Sequence, residues 1–212
     1  MTNTRPRRRI RSIVALTLFE VIRHQDLPAE VLEDDDPSVT MPRKLGLSDV
    51  VEARIRHARE DVKRGRRISD DEFHDLVRLV IRRPDSEEVF RLIGERLSGG
   101  TGERPRKRWR VLPSRLRYAV ARRAVMRSLK SLFGRRVGGF AAGPFTMEGR
   151  SLLFIQSDPG GDACALVSGF CGPVLLRTLG ITTSVSHVAC ESRGDAVCRW
   201  ELSEKVDGRG SG

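Results

Sequence analysis

No stretch of this chain keeps an apolar character for the roughly 20 residues that a membrane helix needs. The one apolar run behind a basic tract is Ile13 to Phe19. It stops at Glu20 after seven residues, without a small-residue cleavage site, so it is too short for a signal peptide. The expectation is therefore a cytosolic protein with no membrane span, in a compartment where thiols stay reduced. Nucleotide-binding loops are missing too. The glycine-rich stretch 137–144 carries no GxxxxGK[ST] and no strand–GxGxxG–helix arrangement. No pair of carboxylates stands out for acid–base work. His24, His57 and His74 lie in the amino-terminal part, which leaves His187 as the one histidine near any cysteine. Cysteine itself is absent from the first 163 residues.

Positive charge is abundant. Lysine and arginine number 39 against 28 acidic residues, a net charge of +11 on 212 residues. That balance suits acidic partners such as nucleic acid, an anionic membrane surface or an acidic protein, and selects none of them. An apolar fraction of 39% is enough to build a core of one medium domain, or a small domain with an extension.

Along the chain, residues 1–9 read as a basic tail. Ile10, Val14, Leu18 and Val21 recur at helical spacing and predict a helix over 10–22. Residues 26–42, with three prolines and an acidic run, read as loop. Ser48 is placed to cap a helix over 49–64 that Gly65 stops. Ser69-Asp70-Asp71-Glu72 is a capping box, opening a helix to about 82 with Phe73, Leu76, Val77 and Val80 inward. Ser86 is placed to cap a third helix over 87–97. The first two turns of the 70–82 helix are acidic, which argues against its being a DNA-recognition helix. Arg104 to Arg110, five cations around Trp109, is the alternative nucleic-acid element and equally a solvated loop. Ser114 is placed to cap the longest helix, 115–133, with Leu116, Ala119, Val120, Val125, Met126, Leu129, Leu132 and Phe133 inward.

The period then becomes extended. Residues 145–147 and 152–155, joined by Glu148-Gly149, read as a hairpin. Asp162 is placed to cap a helix to about 179 that Pro173 kinks or splits. Residues 182–189 and 197–202 read as strands around a turn at Gly194.

The cysteines lie in this last part: Cys164, Cys171, Cys190 and Cys198, with His187 among them. A turn at Gly194 sets Cys190 and Cys198 opposite each other, with Cβ atoms roughly 5 Å apart. That suits two ligands of one tetrahedral zinc and comes close to disulfide distance. His187 precedes Cys190 by three residues, an odd number, so in a flat strand it faces the other way. Joining the site requires a bend or bulge. Cys164 and Cys171 are seven apart on one helix, about 10 Å along its axis, so they cannot share a metal or a disulfide. Cys164 sits at the helix start, where the dipole favours thiolate. Cys171 shares its face with Val167, Val174 and Leu175. The spacing thus favours zinc held by Cys164, His187, Cys190 and Cys198, with Cys171 a buried thiol. Four protein ligands leave no open position, so the zinc is structural and no catalytic residue is assigned.

These residues resemble the 4-vinyl reductase domain, a small-molecule-binding family also similar to the sensor module of aromatic-responsive bacterial transcription activators. The resemblance is carried by Cys164 with Gly169, by His187-Val-Ala-Cys190, by Gly194-Asp195 and by Cys198-Arg-Trp200. It places the family's zinc ligands on Cys164, Cys190 and Cys198, with His187 where an acidic residue is usual. It implies an α+β fold, an antiparallel sheet packed with helices, like subunits of trafficking-complex tethers. An apolar ligand cavity, homodimerisation and signal output without turnover are further implications. The expected organisation is a helical region over 1–100, a zinc- and small-molecule-binding domain over 110–204 and a disordered tail over 205–212. The expected role is a cytosolic sensory or adaptor module for an apolar or aromatic small molecule. Phe154, Val167 and Phe170 are candidate pocket walls. A basic nucleic-acid-binding regulator and a redox or reductase-like enzyme using the cluster cysteines are the alternatives.

Overall fold

The structure is a computed structural model that describes residues 8–26, 49–99, 113–141, 143, 145–180 and 183–203. Ser48, the 104–110 basic tract and most of the 26–42 loop lie outside these residues. Six α-helices and two small antiparallel sheets are mixed among the described residues.

The chain enters through strand β1 (Arg8–Arg11) and helix α1 (Ile13–Gln25). Helix α2 (Asp49–Lys63) and strand β2 (Arg67–Ser69) follow. Residues 10 and 11 were expected to be helical. They are extended because β1 pairs antiparallel with β2, Ile10 opposite Ile68. Ionic contacts hold the pair against the next helix, α3 (Asp70–Val80): Arg9 with Asp70, and Arg8 with Glu72 at 3.2 Å. The acidic first turn of α3 thus favours its own helix dipole and anchors a strand at once. Its capping box is complete. Ser69 Oγ accepts from Glu72 N at 3.2 Å, and Glu72 Oε2 accepts from Ser69 N at 2.6 Å.

Helix α4 (Ser86–Gly99) and helix α5 (Ser114–Phe133) complete the helical part. The inward face of α5 is Ala121, Ala124, Val125, Leu129, Leu132 and Phe133. Leu116 and Ala119, expected inward, are exposed, because the covered side of the first turns runs through Arg117 and Tyr118, Tyr118 packing on the core and Arg117 donating to the Leu179 carbonyl at 3.3 Å.

Strands β3 (Gly139–Phe140), β4 (Thr146–Gly149), β5 (Ser184–Ala189) and β6 (Cys198–Ser203) form the second sheet, ordered β3-β4-β6-β5. The expected hairpin over 145–155 is not formed. Strand β4 pairs with β3 and with the distant β6, Met147 opposite Trp200. Leu152, Leu153 and Phe154 are all buried, which an alternating strand cannot achieve, and they lead into a 3-10 turn, Ile155–Ser157.

Helix α6 (Ala165–Leu179) is the central element. With the 3-10 turn Asp162–Cys164 before it, its segment is long and apolar enough to cross a membrane by length and composition, contrary to the sequence reading, and 61% of it is buried inside the protein. Asp162 makes no helix cap. Its carboxylate instead accepts from Ser86 Oγ at 2.5 Å, tying the start of α4 to the start of α6. Pro173 lies inside α6 and does not split it. The lost N–H costs one hydrogen bond, while Val174 and Leu175 beside it are buried on the core side. Helices α4 and α6 touch through their backbones, since a Cβ at Gly94 or Gly169 would overlap the facing helix. One buried apolar cluster runs from Ile10 through α6 to Trp200.

Candidate metal centre

The β5–β6 connection builds half of the site. After β5 the chain makes a 3-10 turn, Glu191–Arg193, and reverses at Gly194, whose φ of 100° suits glycine. The Cys190 carbonyl accepts from Arg193 N at 3.0 Å and Asp195 N at 3.1 Å. Cys190 N in turn donates to Asp195 Oδ2 at 2.7 Å. The turn is therefore wrapped around Cys190, with Cys198 facing it from the start of β6.

His187 reaches the same face by the device that its odd spacing demands. The β5–β6 register slips between His187 and Ala189, a bulge that leaves Val188 exposed. The imidazole stacks on Trp200, ring centres 5.1 Å apart and planes 24° from parallel. His187 Nε2 is buried and finds no hydrogen-bond partner. A buried polar nitrogen left so is costly unless something else satisfies it.

Cys164 arrives from the other side, at the end of the 3-10 turn that opens α6. Its carbonyl accepts from Trp200 Nε1 at 3.1 Å, so one buried indole braces both Cys164 and His187. The loop ahead of it is shaped by Asp158, which is buried and accepts from Gly161 N at 3.0 Å and Ala163 N at 2.6 Å. Burial raises the Asp158 carboxyl above its ordinary range, opposed by those same N–H bonds. Gly161 must be glycine: its φ is 80°, and a Cβ there would overlap Cys190 Sγ. Ser192 Oγ donates to the Asp158 carbonyl at 2.8 Å and Arg193 Nε to the Gly160 carbonyl at 2.8 Å, which stitches loop to turn.

The result brings Cys164, His187, Cys190 and Cys198 together, one ligating atom from each, all within 4.8 Å of one another. The Cys164 and Cys198 sulfurs are 3.7 Å apart. Two thiolates on a tetrahedral zinc with bonds of about 2.3 Å are separated by about 3.8 Å, so this edge already has the dimension of a zinc site. All four cysteines are free thiols. Cys198 is the thiol of the pair that ionises first. A hydrogen bond from Cys164 pulls it below the ordinary thiol range, helped by His187 and by the Glu191 N–H at 3.4 Å. Cys164 is pushed up correspondingly, by that same bond and by burial. A divalent cation entering among them would displace the remaining thiol protons. Cys171 stands apart, fully buried, its thiol pushed up to about 12 by burial alone.

The residues that support the four ligands carry weaker sequence signals than the ligands do. Asp158 and Gly161 carry a local signal of their own, since Asp-Pro-Gly-Gly is a pattern in which an Asp side chain turns back on nearby N–H groups. In the sequence Trp200 is only the aromatic two places after Cys198, and nothing in that spacing signals that it holds His187. His74, left without a role, bonds Ser157 Oγ through Nδ1 at 2.6 Å, away from the metal ligands. Phe154, Val167 and Phe170 are buried in the core and line none of the clefts described below. Comparison with family models, with curated proteins and with solved structures finds no match to this chain.

Proposed function

We propose that this chain is a zinc-stabilised, non-catalytic regulatory module that binds an apolar or aromatic small molecule in the cytosol. The observation that carries the metal is the convergence of three sulfurs and one imidazole within 4.8 Å, beside a buried ring nitrogen with no other partner. Three thiolates and an imidazole converging on one point select zinc among common divalent ions. Four protein ligands close the coordination shell, so the metal's work is structural. It staples the start of α6 to the β5–β6 turn, two segments joined otherwise by hydrogen bonds and packing.

The small-molecule part of the proposal has a cleft to point to, away from the expected walls Phe154, Val167 and Phe170. Helices α1, α2 and α3 enclose about 660 Å³, floored by Ala15, Phe19, Ile22, Ala58 and Leu76. That volume lies in the range of small-ligand sites. The resemblance of the cysteine pattern to the 4-vinyl reductase domain favours the same reading, and carries with it a tether-subunit-like fold and homodimerisation as implications.

The test is native mass spectrometry with metal analysis on protein purified without chelator. One zinc per chain is expected, with an organic adduct and a dimer mass. Structural zinc in small peptides contributes about 10–16 kcal/mol, so Cys198→Ser should remove the metal and unfold the carboxy-terminal half. Metal-free protein whose melting temperature ignores Cys198→Ser would refute the proposal.

A further inference from the structure

A second cleft lies on the other side of α1 and has the opposite character. It encloses about 590 Å³ between the end of β1, α1, the end of α2, and the outer faces of α4 and α5. Three arginines reach it from three separate elements: Arg11 from β1, Arg96 from α4 and Arg127 from α5. Thr17, Ser128 and Ser131 add hydroxyls, and no carboxylate lines it among the described residues.

What sets these arginines apart is that three of them share one cleft whose lining holds no carboxylate. Several other arginines are matched with carboxylates: Arg23 with Glu52, Arg59 with Glu20, Arg83 with Asp26 and Asp85, Arg199 with Glu148. Arg11, Arg96 and Arg127 have no ion-pair partner among the described residues. Arg96 also lies in the last turn of α4, where a cation favours the helix dipole, so the pull on an anion comes chiefly from Arg11 and Arg127. Arg127 Nε donates to the Arg123 carbonyl at 3.3 Å, which orients the guanidinium and leaves its terminal nitrogens for a ligand. Three like charges around one concavity repel one another, and an anion bound among them relieves that repulsion.

We propose that this cleft binds a phosphate monoester carried on a small apolar body. A dianionic phosphate presents three terminal oxygens, and arginine forks are the side chains best matched to it. The cleft is larger than a phosphate group alone. Its remaining wall is apolar, from Leu97 and Leu132 among others, which suits an aryl or short alkyl group on the ester. The inference stands apart from the metal centre, whose ligands lie on other elements.

Isothermal titration of the full chain at low salt tests it, with phenyl phosphate, inorganic phosphate, a short oligothymidylate and phosphatidic-acid vesicles as probes. Phenyl phosphate should bind more tightly than inorganic phosphate, and weaken as salt is raised. The double variant Arg11→Gln/Arg127→Gln should lose at least about tenfold in phenyl phosphate affinity. Ser131→Trp, which fills the cleft without altering charge, should abolish phenyl phosphate binding and leave zinc content unchanged. Ser131, Arg11 and Arg127 are all exposed, so neither variant burdens the core. Phenyl phosphate affinity that ignores both variants overturns the proposal. So does binding of the oligonucleotide or the vesicles alone, which would assign the face to a polymer or a membrane, and so does the lack of any binding at millimolar phenyl phosphate.

Discussion

Substituting Gly169 by alanine pits two effects of opposite sign against each other, and the structure decides between them. In a helix interior, Gly→Ala is worth about 1 kcal/mol of added stability from propensity alone. At 169, though, a Cβ would stand 2.8 Å from the Arg91 carbonyl carbon and closer still to its oxygen, where ordinary contact begins at 3.4 Å. The obstacle is α4 backbone, which has no rotamer to change. Gly94 faces the α6 backbone in the same way, a Cβ there lying 2.7 Å from Phe170 N, so the crossing has no slack on either side. The helices must part, and overpacking of this kind costs typically 1–3 kcal/mol, here at the upper end or beyond because the parted faces include fully buried Ile93 and Phe170. The net expectation is a loss of about 2 kcal/mol. With a urea m-value of about 2 kcal/mol/M, the unfolding midpoint should fall by about 1 M, and the melting temperature by about 4–8 °C. Cys164 rides on the start of α6, so the metal centre should loosen with the crossing. A Gly169→Ala protein whose midpoint equals or exceeds that of the parent would show that propensity wins, and that the α4–α6 contact is not as tight as described.

Asp195→Ala removes the acceptor for Cys190 N and should weaken zinc affinity about 10–100-fold, read by competition with a chelator; unchanged affinity would mean that the turn holds Cys190 without it. The Arg9 guanidinium holds the Asp70 carboxyl below its usual range, so their pair contributes stability that is present above about pH 4 and is lost as pH falls through the depressed value. Asp70→Asn should therefore lower stability at pH 7 by less than about 1 kcal/mol, the pair being partly exposed, and the gap to the parent should close in acid. Urea titrations at neutral and acid pH compare the two proteins directly, and a gap that persists in acid would deny the pair its role. Cys171→Ser should keep the full zinc content and lose about 1–3 kcal/mol, since it buries a hydroxyl among Val167, Val174 and Leu175; loss of metal would place Cys171 in the site.

Local chemistry made some of this architecture readable in advance. The Ser69–Glu72 capping box and the glycine stops at 65, 134 and 180 depend on neighbours a few residues away, and each falls at or just past an element boundary. Parity was just as informative, since the spacing of His187 and Cys190 required a bulge and one is present. What stayed hidden depends on distant partners. Arg8–Arg11 has nothing strand-like in its composition, and is extended because Arg67–Ser69 lies beside it. The run 145–155 has the local marks of a hairpin, yet β4 finds its partner some fifty residues later, in β6. The supports of the metal centre are hidden for the same reason. Nothing near Asp158 in the sequence says that its carbonyl will meet Ser192.

The position of Trp200 gives the protein an optical property. The chain has two tryptophans, and only Trp200 is among the described residues. Its indole is fully buried, stacks on His187 and donates to the Cys164 carbonyl, so it touches two of the four ligand residues. Imidazole charge and nearby thiolates both quench indole emission. With Trp109 replaced by phenylalanine, the fluorescence of the remaining tryptophan would become a direct readout of the state of the cluster. Occupancy, oxidation and acidification could then be followed in real time without an added label.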